Sequence, residues 1–211
     1  MTLAVDQLSL GQVGTNCYLV RADRAATEAV VVAPGDDAAE IRLNLARSGA
    51  TCAAILLTHS HYDHIGALAD LAEGTEAPVW LPEGELDVCR RPDDFFPGIR
   101  TRGYTGEATL LAGGETVAAA AISFRVRHVP GHSPGHLSYY ADGCLFSGDV
   151  LFAGSVGRTD LPFGDWDTLV ESIRTLVDAY PPKTIVYSGH GPPTTIGDEL
   201  ARNPFLAELR T

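Results

Sequence analysis

Residues 58–64 read Thr58-His59-Ser60-His61-Tyr62-Asp63-His64, and this short stretch decides the fold and the chemistry together. It follows the apolar run Ala53–Leu57, which has the composition of a strand buried on both faces. A predicted helix from about Ile65 to Glu73 comes next. Three imidazoles and one carboxylate within six residues are nitrogen and oxygen donors that suit zinc, iron or manganese. Core packing does not account for such a cluster, so the sequence predicts a metal site after this strand.

The spacing within the cluster predicts two neighbouring binding points. Side chains two residues apart on extended backbone point the same way, so His59 and His61 should face a common point. Asp63 and His64 lie at the start of the predicted helix and can turn towards a second point close by. The local sequence therefore directs these four side chains to two neighbouring points.

Further polar side chains follow apolar strands and are flanked by glycine. His132 lies in Pro130–His136 between two predicted strands, Asp149 follows Ser147-Gly148, and His190 lies between Gly189 and Gly191. Sites in layered α/β proteins are built at strand ends of this kind. Together with the first cluster, these three residues are predicted to belong to one site.

The rest of the chain alternates between strand-like and helix-like segments. Strands are predicted at Cys17–Arg21, Ala29–Val32, Ala53–Leu57, Val79–Leu81, Ile122–Val129, Leu137–Tyr140, Cys144–Phe146 and Thr184–Tyr187. Helices are predicted at Asp37–Ser48, Ile65–Glu73, Glu83–Arg90, from Trp166 to the Pro181-Pro182 pair, and at Ile196–Arg202. The stretch Pro92–Glu107 reads as irregular. This order indicates an α/β or α+β protein.

Composition excludes several classes of function. The chain has 211 residues, with 15 Lys and Arg against 27 Asp and Glu, a formal net charge of −12. Lys183 is its one lysine and there is no basic tract, which disfavours nucleic acid as a partner. No apolar run approaches the roughly 20 residues of a membrane-spanning helix. The N-terminal sequence lacks the features of a secretory signal, so a cytoplasmic location and no membrane partner are expected. Four dispersed cysteines without a CxxC pair argue against a thiolate zinc site.

These motifs, in this order and spacing, resemble the metallo-β-lactamase-fold hydrolases. The resemblance covers nearly the whole chain. The segments Pro130–His136, Phe152–Pro162 and Gly189–Leu206 resemble the short glyoxalase II-like branch of that superfamily. The resemblance implies an αββα sandwich of two mixed β-sheets flanked by helices, with a metal centre on one edge.

The resemblance also assigns roles to individual residues. It implies that His59, His61 and His132 hold one ion, that Asp63, His64 and His190 hold a second, and that Asp149 bridges both. One or two divalent ions are expected, with zinc the usual occupant and iron or manganese also found in the branch. His136 matches a histidine of the family that is not a ligand, and His128 matches no motif.

Arg158 lies nine residues after Asp149, where related enzymes place a basic side chain that holds an anionic part of the thiol moiety. A guanidinium there can form a fork with a carboxylate of the substrate. The alternative is a salt bridge to Asp160 or Asp165 that shapes the loop. Arginines and aromatic residues of the stretch 90–107 either contact substrate or form a solvated loop.

Two departures from the family pattern stand out. Ala33 occupies a position where family members commonly carry an Asp that supports the metal-binding loops, which bears on metal affinity and on the number of ions. The sequence has no counterpart of the helical C-terminal domain of classical glyoxalase II enzymes after Asn203-Pro204-Phe205. Residues 1–211 are therefore expected to form one domain.

The leading functional hypothesis is hydrolysis of a thioester, with S-lactoylglutathione or a similar 2-hydroxyacyl thioester as the small-molecule substrate. The resemblance implies a metal-supplied hydroxide as the nucleophile and Asp63 as the catalytic residue that orients it. A persulfide dioxygenase with one iron held by His59, His132 and Asp149 is the alternative within the same superfamily. A non-catalytic metal-binding protein is disfavoured because all seven ligand positions are present. The oligomeric state is left open.

Overall fold

The computed structural model describes residues 2–209, which form two six-stranded β-sheets packed face to face with helices on both outer faces. This arrangement confirms the predicted αββα sandwich. A separate two-stranded hairpin comes, in chain order, between two strands of the second sheet. The predicted mixture of parallel and antiparallel pairing is present in both large sheets.

The first sheet contains the N-terminal strands in sequence order. Its first three strands pair antiparallel and the next three add in parallel. The strands are β1 (Ala4–Leu10), β2 (Thr15–Arg21), β3 (Glu28–Val32), β4 (Thr51–Leu56), β5 (Val79–Pro82) and β6 (Ala108–Leu111).

The second sheet has the order β14-β13-β10-β9-β8-β7. Only β10 and β13 pair in parallel, and the other neighbours are antiparallel. Its strands are β7 (Thr116–Ala119), β8 (Ile122–His128), β9 (Leu137–Ala141), β10 (Cys144–Gly148), β13 (Ile185–Ser188) and β14 (Thr194–Thr195), and the hairpin is β11 (Leu151–Phe152) with β12 (Ser155–Val156).

Alternation along the strands builds the layers. In β3, Val30 and Val32 face the second sheet, whereas Ala29 and Val31 face the helices outside the first sheet. Both sets are buried, since side chains alternate between the two faces of a strand and both faces are covered here. The same reason explains the wholly apolar run that precedes the histidine cluster.

Capping residues set the helix ends. At the start of α1, Asp37 accepts a hydrogen bond from the backbone N–H of Glu40. Asp165 and Thr195 accept the equivalent backbone N–H groups at the starts of α6 and α7. The helices are α1 (Ala38–Arg47), α2 (Tyr62–Ile65), α3 (Leu68–Thr75), α4 (Leu86–Arg90), α5 (Pro92–Phe95), α6 (Trp166–Ala179) and α7 (Ile196–Arg202), with 3₁₀ segments at Glu83–Glu85 and Pro204–Leu209.

The structure differs from the sequence predictions in the middle of the chain. The helix predicted at Ile65–Glu73 is divided at Gly66, where a Cβ atom would lie 2.4 Å from the carbonyl oxygen of Gly35, into the short α2 and the longer α3. The helix predicted from Glu83 begins as a 3₁₀ turn. The stretch Pro92–Glu107 contains α5, and the strands β1, β6, β7, β11, β12 and β14 were not predicted.

The loops that carry the predicted site residues all leave strands. His59 follows β4, His132 follows β8, Asp149 follows β10 and His190 follows β13. The loops that follow strands of the two sheets thus place these side chains at one edge of the sandwich. Within residues 2–209, none of the helices has the length and apolar character needed to cross a bilayer.

Candidate metal centre

The seven side chains predicted as ligands come together in three overlapping groups. In each group the potential ligand atoms lie within 4.8 Å of one another. The groups are His59-His61-His132, His59-His64-Asp149 and Asp63-His64-His190. His59 and His64 each belong to two groups, so the arrangement is one continuous cluster with two ends.

The local backbone explains how one short segment supplies four of the seven. Residues 58–61 leave β4 without regular secondary structure, and His61 has extended backbone. The single-turn helix α2 begins at Tyr62, with the backbone N–H of His64 donating to the carbonyl of His61 at 2.9 Å. The extended part directs His59 and His61 to the end of the cluster where His132 lies. The helical turn directs Asp63 and His64 to the other end, as the sequence predicted.

Asp149 lies between the two ends. One carboxylate oxygen is 3.3 Å from His64 Nε2, and the other is 3.5 Å from both His132 Nε2 and His190 Nε2. Asp63 completes the far end, with Oδ2 3.3 Å from His190 Nε2. The Asp149 carboxylate thus lies close to histidines of both ends of the cluster.

The buried atoms of the cluster fit a metal ion. His59 Nε2, His64 Nε2, His132 Nε2 and Asp149 Oδ1 are buried and have no hydrogen-bond partner among residues 2–209. An unsatisfied buried polar atom costs about 1–3 kcal/mol, so four that point into one cluster need an explanation. Imidazole nitrogens and a carboxylate oxygen are donors for zinc, iron and manganese, and the three groups found in residues 2–209 contain no cysteine.

Burial keeps the histidines in the form that binds metal. Desolvation lowers the pKa of His61 to about 3 and also lowers the pKa values of His59 and His132, so these rings are neutral at pH 7. A ligating imidazole must be unprotonated. At this end of the cluster the ligands need no deprotonation before an ion binds.

The other end is more exposed and carries a proton. Hydrogen bonding with Asp149 and Asp63 raises the pKa of His190 to about 10. Burial opposes ionisation of Asp63, but hydrogen bonding with His190 and Thr15 lowers the pKa of Asp63 to about 2. Without metal, His190 is therefore an imidazolium beside two carboxylates, and an ion bound there would replace its proton.

Neighbouring groups fix the orientation of the ligands. His132 Nδ1 lies 2.8 Å from the carbonyl oxygen of Arg158, which can only accept, so Nδ1 carries the proton and Nε2 is left to face the cluster. Thr15 Oγ1 donates to Asp63 Oδ2 at 2.8 Å. His136 Nε2 accepts the backbone N–H of Asp149 at 3.1 Å, a supporting contact in keeping with its expected non-ligand role.

The start of β2 holds the His190 loop in place. Asn16 Nδ2 donates to the carbonyls of Ser188 and Gly191 at 2.9 and 2.8 Å, and its backbone N–H donates to that of Gly189. A Cβ atom at Gly189 would lie 1.9 Å from Asp149 Oδ1, so only glycine fits there. Sequence reasoning missed Thr15 and Asn16; the available signal was two polar residues directly before the apolar run 17–20.

Ala33 contributes no polar contact from its side chain. Its side chain is buried in the layer between the sheets, and its backbone N–H donates to the carbonyl of Leu56 at 2.9 Å. The backbone there has a positive φ of 53°, a region in which Asp is more frequent than Ala. The carboxylate that the family pattern places here is thus replaced by a methyl group.

The Arg158 side chain forms a salt bridge with Asp160, which is one of the two roles considered for it. Its guanidinium forks to the carboxylate of Asp160, with distances of 2.6 and 2.7 Å, and both side chains are exposed. His128 lies outside the cluster, and its Nε2 lies 2.8 Å from the carbonyl oxygen of Pro134.

Part of the stretch 90–107 lies over the cluster. The Phe96 ring lies edge-on to His61, with centroids 5.5 Å apart, and also contacts Tyr62. Beside Asp63, a cavity of about 590 Å³ is lined by the β1–β2 turn, by Tyr62 and by residues 98–102, which include Ile99 and Arg100. Of the seven predicted ligands, Asp63 lines this cavity.

Comparison with known proteins gives consistent matches. The profile of the Metallo-beta-lactamase superfamily matches residues 10–190. The chain is 35% identical to Probable metallo-hydrolase YqgX of Bacillus subtilis, covering 95% of this chain and 96% of that protein. It is 34% identical to Hydroxyacylglutathione hydrolase GloC of Haemophilus influenzae, covering 90% and 92%.

Solved structures give the same picture. BLEG-1 B3 metallo-beta-lactamase superposes with a TM-score of 0.89 at 41% identity, covering 97% of this chain and all of that one. TTHA1623 in a di-iron-bound form has a TM-score of 0.85 at 38% identity, covering 95% and 100%. ETHE1 from Myxococcus xanthus has a TM-score of 0.77 at 28% identity, covering 97% and 85%.

Proposed function

The chain belongs to the metallo-β-lactamase superfamily, and from this premise we propose that it is a metal-dependent hydrolase of thioesters of the S-lactoylglutathione type. The observation that carries the proposal is the cluster itself, in which Asp149 lies between two groups of ligands whose buried nitrogens face inward. The likeness to a hydroxyacylglutathione hydrolase over nine-tenths of the chain supports the choice of a 2-hydroxyacyl thioester.

The residues fit one or two divalent ions. His59, His61 and His132 would hold the first, Asp63, His64 and His190 the second, and Asp149 would contact both. Such ions supply a hydroxide nucleophile at neutral pH and withdraw charge from the substrate carbonyl. The nitrogen and oxygen donors suit zinc, and a di-iron relative supports iron as an alternative.

Asp63 is assigned the role of orienting the nucleophile. Its pKa of about 2 keeps the carboxylate ionised, and so able to accept a hydrogen bond from the attacking oxygen, throughout the physiological range. Thr15 holds one carboxylate oxygen at 2.8 Å and so fixes the plane of the group. The direction of this acceptor is thereby set before substrate binds.

The leaving group explains why no strong general acid is required. Attack of hydroxide on the thioester carbonyl forms a C–O bond and breaks the C–S bond, giving a carboxylic acid and a thiolate. The acid then releases its proton to solvent and becomes a carboxylate. A thiol has an ordinary pKa near 8.5, so the thiolate departs without prior protonation. The described side chains of the cluster therefore need to bind the substrate and orient the nucleophile, and none has to protonate the leaving group.

The substrate is proposed to lie between the Asp63 cavity and the Arg158 loop. Tyr62, which contacts Phe96, lines the cavity and provides an apolar wall for the acyl group. Arg158 would hold a carboxylate of the thiol moiety in place of Asp160. Ion pairs at the surface are weak because water competes for both partners, so a substrate carboxylate can replace Asp160.

The decisive experiment combines elemental analysis with a thioester assay. Protein purified without added metal should contain one or two equivalents of zinc, iron or manganese and should cleave S-lactoylglutathione. Exhaustive chelation and the variant H61A should both abolish cleavage, whereas H128A, which alters an exposed histidine outside the cluster, should not. Cleavage that survives chelation would contradict the proposal.

The second candidate is an iron-dependent persulfide dioxygenase, and the likeness to ETHE1 favours it. It would require His59, His132 and Asp149, all present in the cluster. Oxygen consumption with glutathione persulfide, in a sample that does not cleave thioesters, would support this alternative over hydrolysis.

A further inference from the structure

Glu85 is a buried carboxylate that lies directly behind the histidine cluster. It ends the 3₁₀ turn that follows β5, and only 2% of its surface is exposed. No Lys, Arg or His nitrogen among residues 2–209 lies within 4.0 Å of its oxygens. Burial raises its pKa, with the Ser133 side chain and the backbone N–H groups of Gly135 and Ser60 acting in the opposite direction. Burying a carboxylate lowers the free energy of unfolding unless hydrogen bonds or an opposite charge compensate for the lost hydration.

The two backbone N–H groups that donate to Glu85 come from opposite halves of the chain. Glu85 Oε1 accepts from Gly135 at 3.0 Å, and Oε2 accepts from Ser60 at 3.3 Å. Ser60 lies between His59 and His61, and Gly135 lies between His132 and His136. The carboxylate therefore ties the loop of the first sheet to the loop of the second.

The packing around this tie is tight. A Cβ atom at Gly135 would lie 2.8 Å from Glu85 Cγ and 2.9 Å from the carbonyl carbon of Gly84. A Cβ atom at Gly84 would in turn lie 3.1 Å from Gly135 Cα. The two segments thus interlock through glycines, and the position of Glu85 relative to both loops is fixed.

We propose that Glu85 is a positioning residue that sets the distance between the His59–His61 loop and the His132 loop, and so controls how tightly the three-histidine group binds its ion. The proposal rests on the metal site of the proposed function but not on the identity of the substrate. Groups behind metal ligands commonly alter metal affinity 10–100-fold when they are replaced.

Only a carboxylate can perform this task at the position. Both partners are donors, and both oxygens of a carboxylate accept. The glutamine of E85Q has one acceptor oxygen, so its NH₂ group must face a backbone N–H. That donor-to-donor contact would push one loop away from the other while leaving size and shape almost unchanged.

The test measures metal affinity directly. Zinc alone is titrated into metal-free wild type and E85Q in competition with a chromophoric chelator, and the visible absorption of the Co²⁺-loaded proteins is recorded. We expect the zinc dissociation constant of E85Q to rise 10–100-fold and the Co²⁺ spectrum to change, because the ligand geometry is altered. These readouts do not depend on thioester cleavage, so failure of the proposed substrate leaves them interpretable.

Glu199 offers a matched control. It is also a buried carboxylate, 4% exposed, and it accepts the backbone N–H of Gly154 at 2.8 Å, the hydroxyl of Thr194 and the amide of Asn203, none of which belongs to the His59–His61 loop or the His132 loop. E199Q should lower the melting temperature without changing zinc affinity. Wild-type affinity and spectrum in folded E85Q would overturn the proposal, as would an equal loss of affinity in E199Q. If E85Q does not fold, E85D, which is too short to reach both donors, is judged by the same readouts.

Discussion

Asp149 and His64 lie 3.3 Å apart, carboxylate oxygen to Nε2, although they are 85 residues apart in sequence and their loops leave different sheets. Neither of the two atoms has a hydrogen-bond partner among the described residues. This contact joins the two ends of the cluster.

Replacing Asp149 by Asn should remove the shared ligand. The amide keeps the shape of the side chain but loses its charge and one of its two acceptor oxygens, so a second ion is held poorly. We expect D149N to retain at most one equivalent of metal and to lose at least about 100-fold in kcat, at the upper end of losses for groups close to the metal. Elemental analysis and thioester kinetics measure both effects. D142N, in the exposed turn between β9 and β10, is the control and should match wild type.

Replacing Thr15 by Val should reduce kcat through Asp63. The two side chains are similar in shape, but Val cannot donate to Asp63 Oδ2, so the carboxylate loses its fixed plane. We expect kcat to fall about 10-fold with little change in metal content, as is common when a supporting hydrogen bond is lost. S9A alters a hydroxyl of the same hairpin that bonds only to Gly14, and should leave kcat unchanged. Equal effects of the two variants would show that the hairpin, not the Asp63 contact, is responsible.

Arg158 and Asp160 can be separated by their effects on KM. If Arg158 holds a carboxylate of the thiol moiety, R158A should raise KM about 10-fold for S-lactoylglutathione, corresponding to about 1.4 kcal/mol, and leave KM unchanged for a thioester of an uncharged thiol. D160A should leave KM unchanged or lower it, because it frees the guanidinium. If the salt bridge only shapes the loop, R158A and D160A should impair both substrates alike. R174A, which breaks an exposed ion pair on α6, is the control.

The metal-free protein should lose stability in mild acid. Burial lowers the pKa of His61 to about 3 and depresses those of His59, His132 and His136, whereas these groups titrate near 6.5 in the unfolded chain. Below pH 6.5 these histidines take up protons in the unfolded chain but stay neutral in the folded protein. The free energy of unfolding therefore falls by about 1.4 kcal/mol per pH unit for each ring that stays neutral, until pH reaches the folded-state pKa.

His190 acts in the opposite direction. Its pKa is raised to about 10, so its contribution is full below pH 6.5 and is lost as pH rises through 10. Urea unfolding of chelator-treated protein at pH 7.5, 6 and 5 should show falling midpoints, with a shallower fall in H61Q. An unchanged midpoint between pH 7.5 and 5 would contradict the neutral state of the buried rings.

Much of the fold could be predicted because its signals are local. The apolar spacing of α1 predicted its range within one residue at each end, and α7 was predicted at Ile196–Arg202. The strands β1, β6 and β7 and the two-residue strands β11, β12 and β14 were not predicted. β1 mixes buried and exposed residues and is held by pairing with β2, so its own residues carry little strand signal.

The sequence by itself determined the chemistry of this protein, because a metal-binding cluster requires particular donors, and His59, His61, Asp63 and His64 are adjacent in the chain. It also indicated that His132, Asp149 and His190 belong with them, through the shared pattern of glycine after a strand. Only the tertiary structure decided what holds these donors in place. Thr15 reaches Asp63 across 48 residues and Glu85 joins Ser60 to Gly135, because the order and register of strands in two sheets, which no local pattern encodes, bring those segments together.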